Sequence, residues 1–330
     1  MDHRPLQRIL SGRAPAARFL VQRIGGMIAL LVVMSLVVFS LLYAEPGSVA
    51  RNLLGTRPVS PQAVAEITAA YHLNDSFLTQ YWIWVTNALH GNFGTSIQSG
   101  SPVSQEIASR LGLTLEIIVF ALIIGLAVAV PAGVISGMRR SGVVDRASAV
   151  GSIVTLSAPP FALGLLLLYV LANDLSWFPI YGGGAGFGDR LYHLVLPAFT
   201  LALGFAGFVL KITRAAVIQE TEQDYVMFAR SRGLSEWRVT RLVLRNACIP
   251  VVTSFGLALA ALVGSTVIVE QMFSLPGLGS LLEEAVTFKD VPVVQALTLL
   301  TAAAIAAIAL LVDLAYLALD PQLRKAVTTR

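Results

Sequence analysis

The sequence predicts an all-α integral membrane protein with six transmembrane helices and a small external insertion between the first two. Three observations support this fold class. Of the 330 residues, 56% are apolar and only 13% are charged, and the mean hydropathy is +0.75. Soluble domains carry about 25% charged residues, so most of this surface faces something other than water. The other two observations are a set of long apolar stretches and an uneven distribution of positive charge.

Six apolar stretches are each long enough to cross the ~30 Å hydrocarbon core of a bilayer, which takes roughly 20 helical residues. Each is expected to be a helix, because lipid offers the backbone no hydrogen-bond partners. The stretches cover residues 24–43, 113–138, 147–172, 194–212, 249–269 and 291–319.

Positive charge predicts the orientation of these spans. Eighteen of the 23 lysines and arginines lie in segments on one side of them, and these residues accumulate in cytoplasmic loops. Both chain termini are therefore expected in the cytoplasm. The resulting segments are a cytoplasmic N-terminal segment 1–23, a first span 24–43, an external insertion 44–112, a core 113–319 with a cytoplasmic loop 213–247, and a cytoplasmic tail 320–330.

Several kinds of chemistry lack the residues they require. The phosphate-binding loop of nucleotide motors needs a lysine that follows a glycine, whereas Lys211, Lys289 and Lys325 follow leucine, phenylalanine and arginine. The glycine-rich run 182–188 lacks the G-x-G-x-x-G spacing and predicts a flexible turn. The four histidines are scattered, without the pairing typical of a metal site. We therefore expect no catalytic residues, metal or bound cofactor in this chain, and no nucleic-acid binding.

The predicted cytoplasmic loop contains a short, well-delimited helix. Thr221 and Asp224 have the spacing of a capping box, and Asp224 places negative charge at the positive end of the helix dipole. Arg230 and Arg232 lie in the last turn, where the dipole favours cations. Gly233 can adopt the left-handed conformation that ends helices. These signals predict a helix between Thr221 and Gly233.

The faces of this helix predict a contact with a partner. Tyr225, Phe228, Ala229 and Arg232 are expected on one face by their 3,4 spacing. A second short helix is expected to begin at Ser235 and to end before the fifth span. A rigid helix with aromatic and small residues on one face is typical of insertion into a groove. The alternative is an interfacial helix that lies on anionic lipid.

Motifs spread over residues 18–325 occur in one collinear order. They are PG at 46–47, GNFGTS at 91–96, HLVLPA at 193–198, DYV at 224–226, ARSRGLS at 229–235, LRNA at 244–247, FSLPGLG at 273–279, LVDL at 311–314 and LDP at 319–321. Together they resemble the permeases of bacterial ATP-binding-cassette (ABC) importers for dipeptides and oligopeptides, of the first permease subunit type. Where the wider family has glutamate-alanine-alanine, this chain has Met227-Phe228-Ala229.

The resemblance implies the type I ABC importer permease fold and a role in ATP-driven peptide uptake at the inner membrane. The implied partners are a second homologous permease that completes a heterodimer, two ABC ATPase subunits that bind ATP and Mg²⁺, an external substrate-binding protein, the peptide and the lipid bilayer. Nickel or another small solute is the alternative cargo, and a stand-alone secondary carrier is the alternative from another class. The implied coupling helix, seated in an ATPase groove, consists of Asp224, Tyr225, Phe228, Ala229, Arg230, Arg232 and Gly233.

A proline break interrupts the predicted third span. Ser157, Pro159 and Phe161 lie at this break, which frees backbone carbonyls within the membrane. A kink that lines the transport pathway or its gate is one interpretation, and a purely structural kink is the other.

Small and acidic residues in later spans are further candidates for the pathway or gate. Gly256, Ala260 and Gly264 repeat every four residues along the fifth span, a spacing that lets helices approach closely. Packing within the chain, the heterodimer seam and the pathway lining all remain open for them. Glu270 is expected either to contact substrate or partner or to be solvated. Asp313 is expected to pair with an arginine near the inner surface.

Overall fold

The structure is a computed structural model that describes residues 13–44, 48–54 and 60–319. Over those residues it contains helices and no β-strand. A π-helical segment, Leu168–Asp174, continues α7. The helices are α1 (Arg13–Ala44), α2 (Val49–Leu54), α3 (Pro61–Ala70), α4 (Phe77–Leu89), α5 (Val103–Met138), α6 (Val143–Ser157), α7 (Pro160–Leu167), α8 (Phe187–Thr221), α9 (Asp224–Ser231), α10 (Glu236–Met272), α11 (Leu278–Thr287) and α12 (Val291–Leu319).

Five of the described helices are long and apolar enough to cross a membrane, namely α1, α5, α8, α10 and α12. A sixth span results if α6 and the α7 segment are counted together, although their axes differ by 106°. The break falls where the sequence predicted it, because prolines at 159 and 160 cannot continue the hydrogen-bond ladder of α6. The predicted all-α membrane fold is confirmed.

The predicted boundaries of the spans and the cytoplasmic location of both termini stay predictions. Parts of three predicted segments lie outside the described residues. These parts are residues 1–12 of the N-terminal segment, 45–47 and 55–59 of the insertion, and the whole tail 320–330.

The chain divides into two compact units. The first comprises Met1–Ile24, Ile117–Phe273 and Ala307–Arg330, and the second comprises Gly25–Glu116 and Ser274–Ala306. The candidate coupling helix α9 belongs to the first unit, and helices α2, α3 and α4 of the insertion belong to the second.

Helix α8 is the centre of the first unit, where it packs against α6, α7 and α10. Two glycines bring α5 close to it as well. A Cβ added at Gly133 would lie 2.7 Å from Cβ of Thr213, and one added at Gly137 would lie 2.7 Å from Cβ of Val217. Real Cβ atoms do not approach so closely, so only glycine fits at these two contacts.

The first unit also holds the end of α12 against α10. A Cβ at Gly256 would lie 2.3 Å from a methyl carbon of Val312. One residue further along α12, the carboxylate of Asp313 lies 2.9 Å from Nε of Arg23. The predicted pairing of Asp313 with an arginine is therefore confirmed.

Among its described residues, the second unit has an apolar core and one buried acidic side chain. Val103 and Ile107 of α5 pack with residues of α11 and α12. Asp290, which precedes α12, is buried and accepts hydrogen bonds from Oγ of Ser96 at 2.5 Å and from the backbone N–H of Gln98 at 3.1 Å. These two bonds hold the end of the GNFGTS motif, and the residues just after it, against the start of α12. A contact between residues far apart in the chain therefore positions this loop.

One sequence-based prediction about the first unit was wrong. The expected short helix from Ser235 does not end before the fifth span, because α10 runs without interruption from Glu236 to Met272. Ser235 is its N-cap residue, as predicted for the start. Pro250 lies inside the helix, so a proline here does not mark a boundary between elements.

Candidate coupling site

The N-cap of helix α9 lies two residues later than the N-cap predicted from the sequence. Thr221 is the last residue of α8, and its hydroxyl donates to the carbonyl of Val217 at 2.6 Å. Gln223 is the N-cap residue of α9 and makes no side-chain capping bond. The capping box predicted for Thr221 and Asp224 is therefore wrong, since Thr221 bonds back into its own helix. Asp224 does stand in the first turn, where its charge suits the helix dipole.

The end of α9 agrees with the sequence. Gly233 has φ +75°, the left-handed conformation that favours glycine. Its N–H donates to the carbonyl of Arg230 at 2.9 Å, and the N–H of Leu234 donates to the carbonyl of Ala229 at 3.2 Å. The predicted left-handed stop is confirmed. It reverses the chain within a few residues, so that α10 follows α9 directly.

The inner face of α9 is held by an apolar cluster. Val226 and Ala229 are buried, with exposed fractions of 1% and 8%. They pack with Ala216 and Val217 of α8 and with the core-facing residues of α10, which are Val239, Val243 and Ala247. Because branched and small side chains from three helices interlock here, α9 is fixed to the ends of α8 and α10.

A hydrogen bond adds to this attachment. The hydroxyl of Tyr225 donates to Oε2 of Glu220 at 2.7 Å. Burial, the hydrogen bond to Glu220 and its negative charge raise the pKa of Tyr225 to about 12, against a smaller opposite effect of Asn246. The phenol therefore keeps its proton at physiological pH and remains a donor to α8.

The outer face of α9 carries large apolar side chains. Met227 and Phe228 are 65% and 63% exposed, and Trp237 at the start of α10 is 76% exposed. The single face predicted for Tyr225, Phe228, Ala229 and Arg232 is therefore wrong. Tyr225 and Ala229 turn towards the protein, while Phe228 turns away from it.

Met227 and Trp237 were not among the contact residues predicted from the sequence. A helix of eight residues with apolar side chains on both of its faces has one more apolar face than its own chain can bury. This surplus of apolar side chains was the feature of the sequence that indicated an exposed apolar face on α9. Exposed clusters of methionine and aromatic residues mark interaction sites more often than scattered apolar residues do.

Two ion pairs flank α9. Nη1 of Arg140 lies 2.8 Å from Oε1 of Glu222, just before the helix, and Nε of Arg230 lies 3.3 Å from Oε1 of Glu236, just after it. Both pairs are largely exposed, so each contributes at most about 1 kcal/mol to stability. Arg232 is exposed and follows the last helical residue.

The residues predicted for the pathway are distributed over different environments. Ser157, Pro159 and Phe161 are all exposed at the break between α6 and α7. Their exposure places them on a surface that lipid, a partner or a pathway can reach. Their role in transport stays a prediction.

The small-residue repeat of α10 divides between two environments. Gly256 is buried against Val312, whereas a Cβ at Gly264 would meet no atom within 4 Å. Ala260, between them, is half-buried. Gly256 therefore serves packing within the chain, and Gly264 has free space beside it.

Glu270 is fully buried at the far end of the same helix. The solvated interpretation is therefore wrong. A direct contact with substrate or partner needs a different arrangement of the surrounding helices, so that part of the prediction stays untested.

The fold and this site define a multi-spanning α-helical membrane protein that presents a short, firmly held helix between two long ones. Comparison with protein families matches residues 129–325 to the "Binding-protein-dependent transport system inner membrane component" family. Residues 16–118 match the N-terminal domain of such membrane components.

Similar proteins agree over nearly the whole length. The glutathione transport system permease protein GsiC of Salmonella choleraesuis strain SC-B67 is 36% identical over 311 residues, which cover 93% of this chain and 98% of the relative. The protein of the same name from Escherichia coli strain K12 is 37% identical with the same coverage. This chain belongs to the family of binding-protein-dependent inner membrane transport components, the permeases of ABC importers.

Membership confirms the predicted resemblance and the type I importer fold. The chain is a multi-pass inner membrane protein of a transport system, and ATP is hydrolysed by separate ATPase subunits. A substrate-binding protein and ATPases are the partners that such a permease implies. The alternative of a stand-alone secondary carrier is excluded.

Proposed function

We propose that this permease carries short peptides, that it forms half of the translocation pathway, and that α9 is its coupling helix. The second half is a homologous permease, so that the membrane part is a heterodimer. ATP and Mg²⁺ bind to the two ATPase subunits, and both termini of this chain lie on their side of the membrane, in the cytoplasm.

The observation that carries the coupling role is the division of α9 into two apolar faces. The inner face, with Val226 and Ala229, is fixed to α8 and α10. The outer face offers Met227 and Phe228, with more than half of each side chain exposed. Because the inner face is held by α8 and α10, a movement of the partner groove that binds the outer face is passed on to these two helices.

Flexible methionine and rigid aromatic side chains suit such a groove. Phe228 supplies a large anchor of the kind that dominates protein interfaces, and Met227 adapts to the shape around it. The exposed C-terminal end of α9 carries Arg232 and, in its ion pair with Glu236, Arg230; both guanidinium groups can face acidic residues at the rim of the groove.

The peptide cargo is supported by the similarity to permeases named for glutathione, a small peptide. Nickel or another small solute is the competing cargo. Uptake into vesicles that contain the whole importer and its binding protein distinguishes these possibilities. Labelled glutathione, a labelled dipeptide and Ni²⁺ are supplied separately, and accumulation of either peptide in excess of Ni²⁺ is expected. Accumulation of Ni²⁺ alone would refute the peptide assignment.

Purification tests the assembly. The chain is extracted in mild detergent through a C-terminal tag, and the proteins that accompany it are identified by mass spectrometry. We expect two ATPase subunits and one other permease. Recovery of ATPases with this permease as the only membrane subunit would contradict the heterodimer and leave the coupling role in place.

A further inference from the structure

An ion pair with a buried carboxylate and a partly exposed arginine lies in the first unit. The carboxylate of Asp145, in the first turn of α6, receives two bonds from Arg214 of α8, with Nε at 2.6 Å from Oδ1 and Nη2 at 3.2 Å from Oδ2. Ser136 of α5 donates its hydroxyl to Oδ1 at 2.5 Å, and the N–H of Ser141 donates to Oδ2 at 3.1 Å. The side chain of Asp145 is only 11% exposed.

These bonds join three helices and one turn at a single carboxylate. Ser136 belongs to the end of α5, Ser141 to the turn before α6, Asp145 to α6 itself and Arg214 to α8. Nε of Arg214 also lies 3.2 Å from Oγ of Ser136, which closes the network. We refer to Ser136, Ser141, Asp145 and Arg214 as the α5–α6–α8 clamp.

The clamp lies between the coupling helix and the broken span. Seven residues beyond Arg214, α8 ends at Thr221 and leads into α9, and its residues Ala216 and Val217 hold the inner face of α9. In the other direction, α6 runs from Asp145 without interruption to the break after Ser157. A continuous set of rigid elements therefore connects α9 to the bent α6–α7 pair.

The net contribution of such an ion pair to the stability of the fold is small. Desolvation of the buried Asp145 and solvent screening of Arg214, whose side chain is 34% exposed, offset most of their attraction. A bidentate arginine–carboxylate contact adds instead a fixed direction, because both nitrogens must face both oxygens. The clamp therefore fixes the orientation of α6 against α8.

We propose that Asp145 and Arg214 are positioning residues of the transport cycle, which lock α6 to the end of α8 so that a displacement of α9 moves the bent α6–α7 pair with it. This inference rests on the proposed coupling role of α9. Neither residue touches substrate or nucleotide; both act through the helices they join.

The test measures the distance between α6 and α8 in the assembled importer in lipid nanodiscs. Spin labels are placed on cysteines at the exposed positions Val150 and Gln219 after Cys248→Ser removes the single native cysteine. Distances are recorded without nucleotide and after trapping with ADP and vanadate. In the parent chain the distance is expected to be the same in both states.

The variant removes both charges at once, as Asp145→Asn with Arg214→Gln. It leaves no buried charge without a counter-charge, so assembly is expected. Its distance should match the parent without nucleotide and diverge after trapping, with ATP-driven uptake of glutathione reduced on the order of tenfold per ATP hydrolysed. Arg146→Gln, an exposed neighbour on α6, is the matched control and should leave both distances unchanged.

Three results would overturn the proposal. They are distances identical to the parent in both states, an equal change in both states, and failure of the double variant to assemble while the Arg146 variant assembles. The last two assign the clamp a structural role only. The coupling role itself is checked separately by cross-linking a cysteine at position 227 of the protein with the intact clamp to the ATPase. Absence of this cross-link would refute the coupling role and would not bear on the contact between α6 and α8.

Discussion

Gly256 and Gly264 lie about two turns apart on α10, and the structure predicts opposite consequences when each is replaced by alanine. A Cβ at Gly256 would lie 2.3, 2.9 and 3.0 Å from Cγ2, Cγ1 and Cβ of Val312. Rotation of the valine side chain does not relieve this overlap, because both methyl carbons and the branch carbon are involved. The two helices must therefore separate by about 1 Å to restore ordinary carbon contacts. A Cβ at Gly264 meets no atom within 4 Å.

The expected difference between the two variants is about 1–3 kcal/mol, the usual effect of overpacking a close contact. Alanine also favours helix over glycine by about 1 kcal/mol, but this gain is common to both variants and cancels between them. Gly256→Ala should therefore unfold at a lower temperature than Gly264→Ala. Gly264→Ala should be as stable as the parent or slightly more stable.

The assay is thermal stability of the purified chain in detergent, measured by size-exclusion chromatography after heating. Equal midpoints for the two variants would refute the packing assigned to Gly256. The same pair in the assembled importer tests the pathway prediction for Gly264. A loss of assembly or uptake in Gly264→Ala, with normal stability of the isolated chain, would place Gly264 at the heterodimer seam or in the pathway.

Three further predictions follow from the site and the second unit. Phe228→Ala should weaken ATPase association by about 2 kcal/mol or more, the usual effect of losing an aromatic anchor, and co-purification measures it against Thr79→Ala in α4 as control; unchanged recovery would contradict the docking role. Gly233→Val should reduce uptake because a branched residue resists φ +75° at a cost of about 1–2 kcal/mol, whereas Gly233→Asn should be tolerated, and equal uptake by both variants would contradict the left-handed stop. Asp290→Asn should loosen the segment 91–102, because the charge-assisted bond from Ser96 is lost; faster proteolysis there is expected, and an unchanged pattern would count against this role of Asp290.

Local signals in the sequence were sufficient for features that depend on neighbouring residues. Gly233 ends α9 in the left-handed conformation, and the tandem prolines break the third span, because both effects arise within one or two residues. The apolar stretches predicted the membrane helices for the same reason, since hydropathy over about 20 residues is a local quantity.

Choices between two locally acceptable partners were not predictable in this way. Thr221 has the spacing of a cap for α9 but bonds to Val217 within α8, because α8 continues to Thr221. The orientation of α9 was assigned from spacing alone, and the packing of Val226 and Ala229 against two other helices decided it differently.

Contacts between residues far apart in the chain left no local pattern to read. Arg214 and its partner Asp145 lie 69 positions apart, so no local spacing links them. The same holds for Asp290, which meets Ser96 across 194 positions. Such pairs depend on the folded arrangement of helices, which composition and spacing do not specify.

The central claim is that the outer face of α9 contacts an ATPase subunit. The most direct test places single cysteines on adjacent residues of α9 in the Cys248→Ser background, one at Met227 on the outer face and one at Val226 on the inner face. A reagent with a thiol-reactive maleimide at one end and a photoactivated diazirine at the other, which inserts into nearby bonds of any residue, is then applied to the assembled importer in nanodiscs. We expect the Met227 cysteine to cross-link to the ATPase and the buried Val226 cysteine to remain unlinked. Absence of a cross-link from Met227, with labelling of that cysteine by a lipid-anchored maleimide instead, would show that the outer face lies on the membrane surface and would contradict the coupling role.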